Sequence, residues 1–297
     1  MSLVRTRLLA VTELFKPITW FPPMWAFACG VVASGASLSH QWLLIGVGIV
    51  LAGPMVCATS QAINDWFDRH VDAINEPQRP IPSGRIPGRW GLYIAVIWTL
   101  ASLAVATALG PWGFAAALVG LLLAWGYSMP PVRFKQNGWI GNLACGVSYE
   151  GLAWMTGAAV MAGGAMPEAR SLVLAFLYSL GAHGIMTLND FKSMEGDRVM
   201  GVRSLPVQLG ARGAALTACL TMGLPQVGVI ALLAWWDAPV SALTVLGLLM
   251  GQIWLMQRFL NDPIGQARFY SGFGVPLFVV GMMVSAFALR GLTEQLL

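Results

Sequence analysis

WLLIGVGIVLAGPMVCATSQAI, residues 42–63, runs directly into NDWFDRHVD, residues 64–72. The first stretch carries no charge and is long enough to cross about 30 Å of hydrocarbon as a helix, which takes about 20 mainly apolar residues. The second places Asp65, Asp68, Arg69 and Asp72 at its end. An apolar span that stops at a cluster of acids describes a membrane helix with a polar rim.

Working outward, comparable stretches occupy 17–38, 91–110, 112–128, 139–162, 170–188, 213–235, 239–257 and 270–290. The expected fold is therefore all-α, a polytopic membrane bundle of nine transmembrane helices formed by the single domain 1–297. The composition agrees: 57% of the 297 residues are hydrophobic, only 10% are charged and the mean hydropathy is +0.69, against roughly 25% charged residues in soluble proteins. The first span is too long for a cleaved signal, carries Pro22 and Pro23, and lacks a small-residue cleavage site. Cys29, Cys57, Cys145 and Cys219 lie singly in apolar spans with no metal-ligand spacing, and read as packing residues. Pro54, Pro225 and Pro276 fall inside spans, where the missing N–H is expected to kink a helix.

Lys and Arg accumulate in short cytoplasmic loops. With the N-terminus cytoplasmic and the C-terminus outside, 15 of the 17 cations face the cytoplasm, Arg5 among them, and only Arg170 and Arg290 face out. The net charge of +4 thus reports topology and gives no ground for nucleic-acid binding. The outer connections, at Ser39–Gln41, Gly110–Pro111, Gly163 and Asp237–Ala238, are short turns. The inner loops 64–90 and 189–212 are long and hold most of the acids, and long loops in a compact bundle are where function concentrates.

Those two loops form a weak two-part repeat. Each opens with Asn-Asp, at Asn64 and Asn189, and each has an Asp eight residues after its Asn, at Asp72 and Asp197. If the helix of residues 42–63 continues, Asn64, Asp68 and Asp72 recur every four residues on one face. Both clusters would sit at helix C-termini, where the macrodipole disfavours negative charge, so a cation must offset them. Carboxylate and amide oxygens suit Mg2+, which takes one or two protein carboxylates while substrate phosphates complete its shell. Arg69, Arg79, Arg198 and Arg203 can hold phosphate oxygens with their planar forks. A third inner loop, Tyr127-Ser-Met-Pro-Pro-Val-Arg-Phe-Lys-Gln-Asn-Gly-Trp139, is stiffened by its prolines and presents Tyr127, Arg133 and Lys135. Inside the membrane, Glu150 and His183 are ionisable groups at depth. Such groups are functional candidates, with a buried hydrogen-bonded pair as the bland alternative.

The stretch from Asn64 to Gly84, NDWFDRHVDAINEPQRPIPSG, resembles the first motif of the UbiA superfamily of intramembrane prenyltransferases, in its chlorophyll synthase branch. Residues 127–139 and Asn189–Arg198, NDFKSMEGDR, look like the branch's other motifs, in the same order. The resemblance implies that the propionate of chlorophyllide or bacteriochlorophyllide is esterified with geranylgeranyl or phytyl diphosphate. By carry-over Asp68, Asp72, Asp190 and Asp197 are catalytic, holding Mg2+ together with Asn64. Ser193 stands where the first motif has Asp68, and Glu195 is expected to compensate. Tyr127, Arg133, Lys135 and Lys192 join the arginines as candidates for the diphosphate, and Glu150 and His183 for the tetrapyrrole, with His183 on its central magnesium. The bilayer is the further partner, in a bacterial inner or photosynthetic intracytoplasmic membrane. The alternatives are another prenyl acceptor, aromatic or haem, and a transporter, whose sites lie nearer the midplane.

Overall fold

The computed structural model describes residues 3–294, with side chains from residue 7. Two earlier expectations, the side of Arg5 and the side of the C-terminal end 295–297, therefore lie outside the described residues. Every named element is helical, and among the described residues the one β-bridge joins Asn137 to Arg203. A short first helix, α1 (Leu3–Phe15), precedes α2 (Phe21–Ala33). Next, α3 (Trp42–Val50) passes through a π-helical turn, Leu51–Cys57, into α4 (Ala58–Asn75), so the apolar span and its acidic end form one rod, as the periodicity requires. Then come α5 (Trp90–Ala106), α6 (Gly110–Ser128) and α7 (Gly138–Gly146), the last continuing through the π-helical Val147–Leu152 into α8 (Ala153–Met161). The chain ends with α9 (Ala169–Asp190), the short α10 (Met194–Val199), α11 (Leu205–Trp235), α12 (Pro239–Asn261) and α13 (Pro263–Glu294).

Six helical runs are long and apolar enough to cross a membrane on their own, fewer than the nine expected. Three places account for the difference. Phe21–Ala33 is a 13-residue helix, and Gly138–Met161 runs unbroken through its π turn but carries Asn142, Ser148, Tyr149 and Glu150, which leave it less apolar than the six. Trp90–Ser128 counts as one 39-residue run. That run nevertheless folds back on itself. The Trp125 indole donates to Thr99 Oγ1 at 3.1 Å across 26 residues, a separation of about 39 Å along a straight helix. The reversal falls at Gly110, whose φ of 78° is left-handed and open to glycine.

Small residues set the helix spacing, as in other membrane bundles. A Cβ on Gly30 of α2 would meet the Trp154 carbonyl oxygen of α8, and one on Gly157 of α8 would meet the Phe27 carbonyl oxygen of α2. The expected kink at Pro54 is a π turn, whose Pro54 carbonyl accepts from the Trp98 indole at 2.9 Å. Buried polar groups find one another: Gln226 and Gln252 exchange amide hydrogen bonds at 3.1 and 2.9 Å, and Tyr178 meets Ser285 at 2.7 Å. Arg170 stacks on Trp236 and Arg290 reaches the Ala36 carbonyl, so both lie in the turns at the end of the bundle away from the acidic loops.

Candidate functional site

The last turns of α4 carry Asn64, Asp68 and Asp72 on one face, and facing them are Asp190 at the end of α9 and Asp197 in α10. All five line a single polar cavity of about 530 Å³. Two acid clusters that are more than a hundred residues apart in the chain therefore open on the same space at the same end of the bundle.

Around that space the cations are distributed among the acids. Lys135 reaches both oxygens of Asp68 at 2.5 Å, Arg133 reaches the same carboxylate at 3.2 Å, and Lys135 also donates to Asn64 at 3.3 Å. Arg79 donates to Asp72 at 2.9 Å and pairs with Glu76. Across the cavity, Asn142 donates to Asp190 at 3.3 Å and the Ser193 hydroxyl to Asp197 at 3.1 Å. Ser193 thus replaces a carboxylate by orienting one. Burial lowers the Lys135 ammonium pKa, and Asp68 restores only part of the loss. At Arg79, burial pulls the pKa down, but Asp65, Asp72 and Glu76 outweigh it and leave the guanidinium above its usual value.

The third loop is tied to the second acidic segment by backbone. Gly138 N donates to the Arg203 carbonyl at 2.8 Å and Arg203 N to the Gln136 carbonyl at 2.9 Å. Only glycine fits at 138, since a Cβ would lie 2.6 Å from Leu205 N. The Asn137 side chain caps α7 by accepting from Trp139 N at 3.0 Å. This clamp ties the loop that carries Arg133 and Lys135 to the segment between α10 and α11.

Of the phosphate candidates, Arg79, Tyr127, Arg133, Lys135 and Lys192 line the cavity. Four expectations fall elsewhere. Glu195 is 84% exposed and pairs with Arg198 on the outer surface of α10, Arg69 bends back over the Trp66 ring to its own helix carbonyl, and Arg203 is exposed and contributes backbone to the clamp. On a one-turn helix such as α10, Asp197 takes the inward face, so Glu195 and Arg198 point out. Glu150 and His183 are buried, 5% and 6% exposed, but line neither this cavity nor the chamber below. Glu150 Oε2 and His183 Nδ1 have no hydrogen-bond partner, so the two do not form the pair considered above; His183 packs instead 5.6 Å from the Trp139 ring.

Sequence reasoning passed over two residues, Asp65 and Ser204, and could not show that the Nε of the candidate Arg133 lacks a partner. Asp65 is 2% exposed and bound by Lys16 at 2.7 Å. Ser204 Oγ and Arg133 Nε are buried donors without partners, in residues that line the cavity. Buried donors are normally satisfied, so these two mark places where a ligand's oxygens would be accepted. Serine at 204 carried no signal beyond its place before α11.

Beneath the polar cavity lies an apolar chamber of about 240 Å³ between α2, α3, α4, α6, α7 and α8. Asn64, Tyr127 and Met186 line both spaces and form the neck between them. Just below the neck, Tyr149 accepts from Gln61 at 3.1 Å. The arrangement suits an amphiphile with an anionic head and a hydrocarbon tail. For a divalent cation, no three His, Cys, Asp or Glu side chains close around one point among the described residues. The hard oxygens of Asn64, Asp68, Asp72, Asp190 and Asp197 nevertheless face one space, and Mg2+ needs only one or two protein carboxylates when phosphates supply the rest. The donor set therefore fits Mg2+ arriving with a phosphate-bearing ligand.

A family model described as the UbiA prenyltransferase family matches residues 20–287. The "Bacteriochlorophyll synthase 33 kDa chain" of Cereibacter sphaeroides is 56% identical over 95% of this chain and 93% of its own length. The chloroplastic chlorophyll synthase of Oryza sativa is 40% identical over 93% of this chain and 75% of its own. Among solved structures, a UbiA homolog from Archaeoglobus fulgidus bound to GPP and Mg2+ superposes with a TM-score of 0.64 at 20% identity, covering 95% of this chain and 99% of that one.

Proposed function

The chain belongs to the UbiA prenyltransferase family, and from that premise we propose that it esterifies the propionate of bacteriochlorophyllide or chlorophyllide with geranylgeranyl or phytyl diphosphate. The observation that carries the reading is the shared neck: the cavity of the two acidic clusters opens at Asn64, Tyr127 and Met186 into the apolar chamber. An allylic diphosphate spans the same two environments, with its head among cations and its tail in hydrocarbon. The relatives named above support the acceptor.

On this reading Arg79, Arg133, Lys135 and Lys192 hold the phosphate oxygens, with Tyr127 at the neck. Asn64, Asp68 and Asp72 from α4, with Asp190 and Asp197 across the cavity, would hold Mg2+. When bound, that ion supplies Lewis-acid stabilisation of the departing diphosphate and a template for its oxygens. Lys135, resting on Asp68, can turn to a phosphate oxygen when the diphosphate enters. The chamber shields the allylic carbon from water. There the C–O bond breaks with its electron pair leaving on the diphosphate, and a propionate oxygen forms the new bond to that carbon. The carboxylate is already a nucleophile, so no protein base is needed.

The finer topology belongs to the same proposal. We take Phe21–Ala33, the two arms of the 90–128 hairpin and the Gly138–Met161 rod as crossings in addition to the other helices, which makes nine, with the acidic cavity cytoplasmic. His183, with its free Nδ1, is assigned to the central magnesium of the macrocycle, and Glu150 to the same acceptor region. The direct test incubates purified protein with Mg2+, geranylgeranyl diphosphate and each chlorophyllide. Esterified pigment should form, and Asp68→Ala should lower its rate by at least about 100-fold, the scale of losing a metal ligand's second-order support or more. Absence of any ester with both acceptors would contradict the proposal.

A further inference from the structure

Asp65 differs from its motif neighbours in direction. It follows Asn64 in sequence, yet it does not line the cavity; it is buried on the side of α4 that meets α1. Its Oδ1 accepts from Lys16 Nζ at 2.7 Å and from Arg79 Nη1 at 3.3 Å. The same Nη1 donates to Asp72 Oδ2 at 2.9 Å, and Asp72 does line the cavity. A chain of charge therefore runs from Lys16, just beyond the end of α1, through Asp65 and Arg79 to the wall of the cavity. Lys16 has a left-handed φ of 45°, so its side chain leaves the turn after α1 from a constrained backbone.

A second clip runs parallel to the first. Glu13, in the last turn of α1, takes both Nη atoms of Arg85 at 2.5 and 2.9 Å, and Arg85 also donates to the Gln78 carbonyl. The loop that supplies Arg79 is thus held on both sides by the end of α1. Without Asp65, Arg79 would face only Asp72 and Glu76 and could follow them toward solvent or into the cavity. A buried carboxylate shared by two cations fixes one end of the guanidinium fork, and planar forks depend on such fixing for their geometry.

We propose that Asp65 is a positioning residue for diphosphate binding: held by Lys16, it anchors Arg79 so that the guanidinium stays on Asp72 at the cavity wall, which couples α1 to the head-group site. This rests on the reading of the cavity as a prenyl diphosphate site. A structural role alone would lower stability and affect both substrates equally. A positioning role acts on the diphosphate, spares the KM for the chlorophyllide and disappears when Arg79 is already gone.

The test measures binding of a non-hydrolysable geranylgeranyl thiodiphosphate with Mg2+ by calorimetry, alongside KM for each substrate and thermal unfolding. Asp65→Asn should weaken analogue binding about tenfold, the scale of one charge-assisted hydrogen bond, with the acceptor KM unchanged. Lys16→Met should give the same pattern and Lys16→Arg should restore it. In the double variant Asp65→Asn/Arg79→Gln, the loss should equal that of Arg79→Gln alone, because residues in one network do not add. Should Asp65→Asn unfold the protein, the Lys16 pair carries the same comparison. Unchanged analogue affinity in folded Asp65→Asn or Lys16→Met, or full additivity with Arg79→Gln, would overturn the inference. Failure of the wild-type protein to bind the analogue would instead overturn the substrate reading on which it rests.

Discussion

Asp68 and Glu195 are both acids of the motif loops, and the structure separates them by environment. Asp68 lines the cavity and is held by Lys135 and Arg133, whereas Glu195 is exposed and answers only to Arg198. Glu195→Gln should therefore leave the esterification rate within about twofold of wild type, since an exposed ion pair is worth roughly 0–1 kcal/mol. The spacing of four residues was enough to read Asn64, Asp68 and Asp72 from the sequence, because a helix turns that spacing into a face. Asp65 was not legible, because its meaning lies in Lys16, 49 residues away. The same limit applies to His183. Its position in an apolar span marked it for function, but its isolation from Glu150 and its closeness to Trp139 are facts of packing. Proposed as an axial ligand to magnesium, His183 should distinguish acceptors. His183→Phe is expected to weaken binding of the magnesium-containing macrocycle about tenfold or more while hardly changing that of its metal-free form, read by fluorescence titration. Equal losses would argue that His183 only shapes the pocket.

At the scale of elements, the apolar segments were legible from composition, and their breaks only in part. The Gly110–Pro111 turn was readable as a reversal, and the Trp125 to Thr99 hydrogen bond places the two arms of that hairpin side by side. Pro54 announced a distortion. The π turn at Val147–Leu152 had no proline to signal it, nor did the break at Gly210, where φ is 71° within the run Leu205–Trp235. Distortions that arise from helix packing leave little trace in one-dimensional periodicity. If Leu205–Trp235 crosses the bilayer, Ala238 and Gly196 lie on opposite faces. In intact spheroplasts, a membrane-impermeant maleimide should label Ala238→Cys and should reach Gly196→Cys only after the membrane is opened, the four native cysteines being replaced beforehand. Labelling of both from one side would contradict that crossing.

At the scale of the molecule, residues from four segments converge on one end of the bundle: α4 with its loop, the 127–139 loop, the end of α9, and α10. The backbone clamp between Gly138 and Arg203 and the α1 clips at Glu13 and Lys16 hold those segments in register. The paired motifs foretold the two clusters, though not their distance apart, since no pattern in sequence measures the gap between α4 and α9. That gap decides whether one diphosphate and its cations can bridge the two sides. The most direct measurement is a crystal structure grown with Mn2+ in place of Mg2+ and a prenyl thiodiphosphate, using anomalous scattering to locate the metal. The account predicts manganese within about 2.3 Å of oxygens from α4 and from Asp190 or Asp197, bridged by the diphosphate. Metal held at one cluster alone, or a diphosphate seated outside the shared cavity, would contradict it.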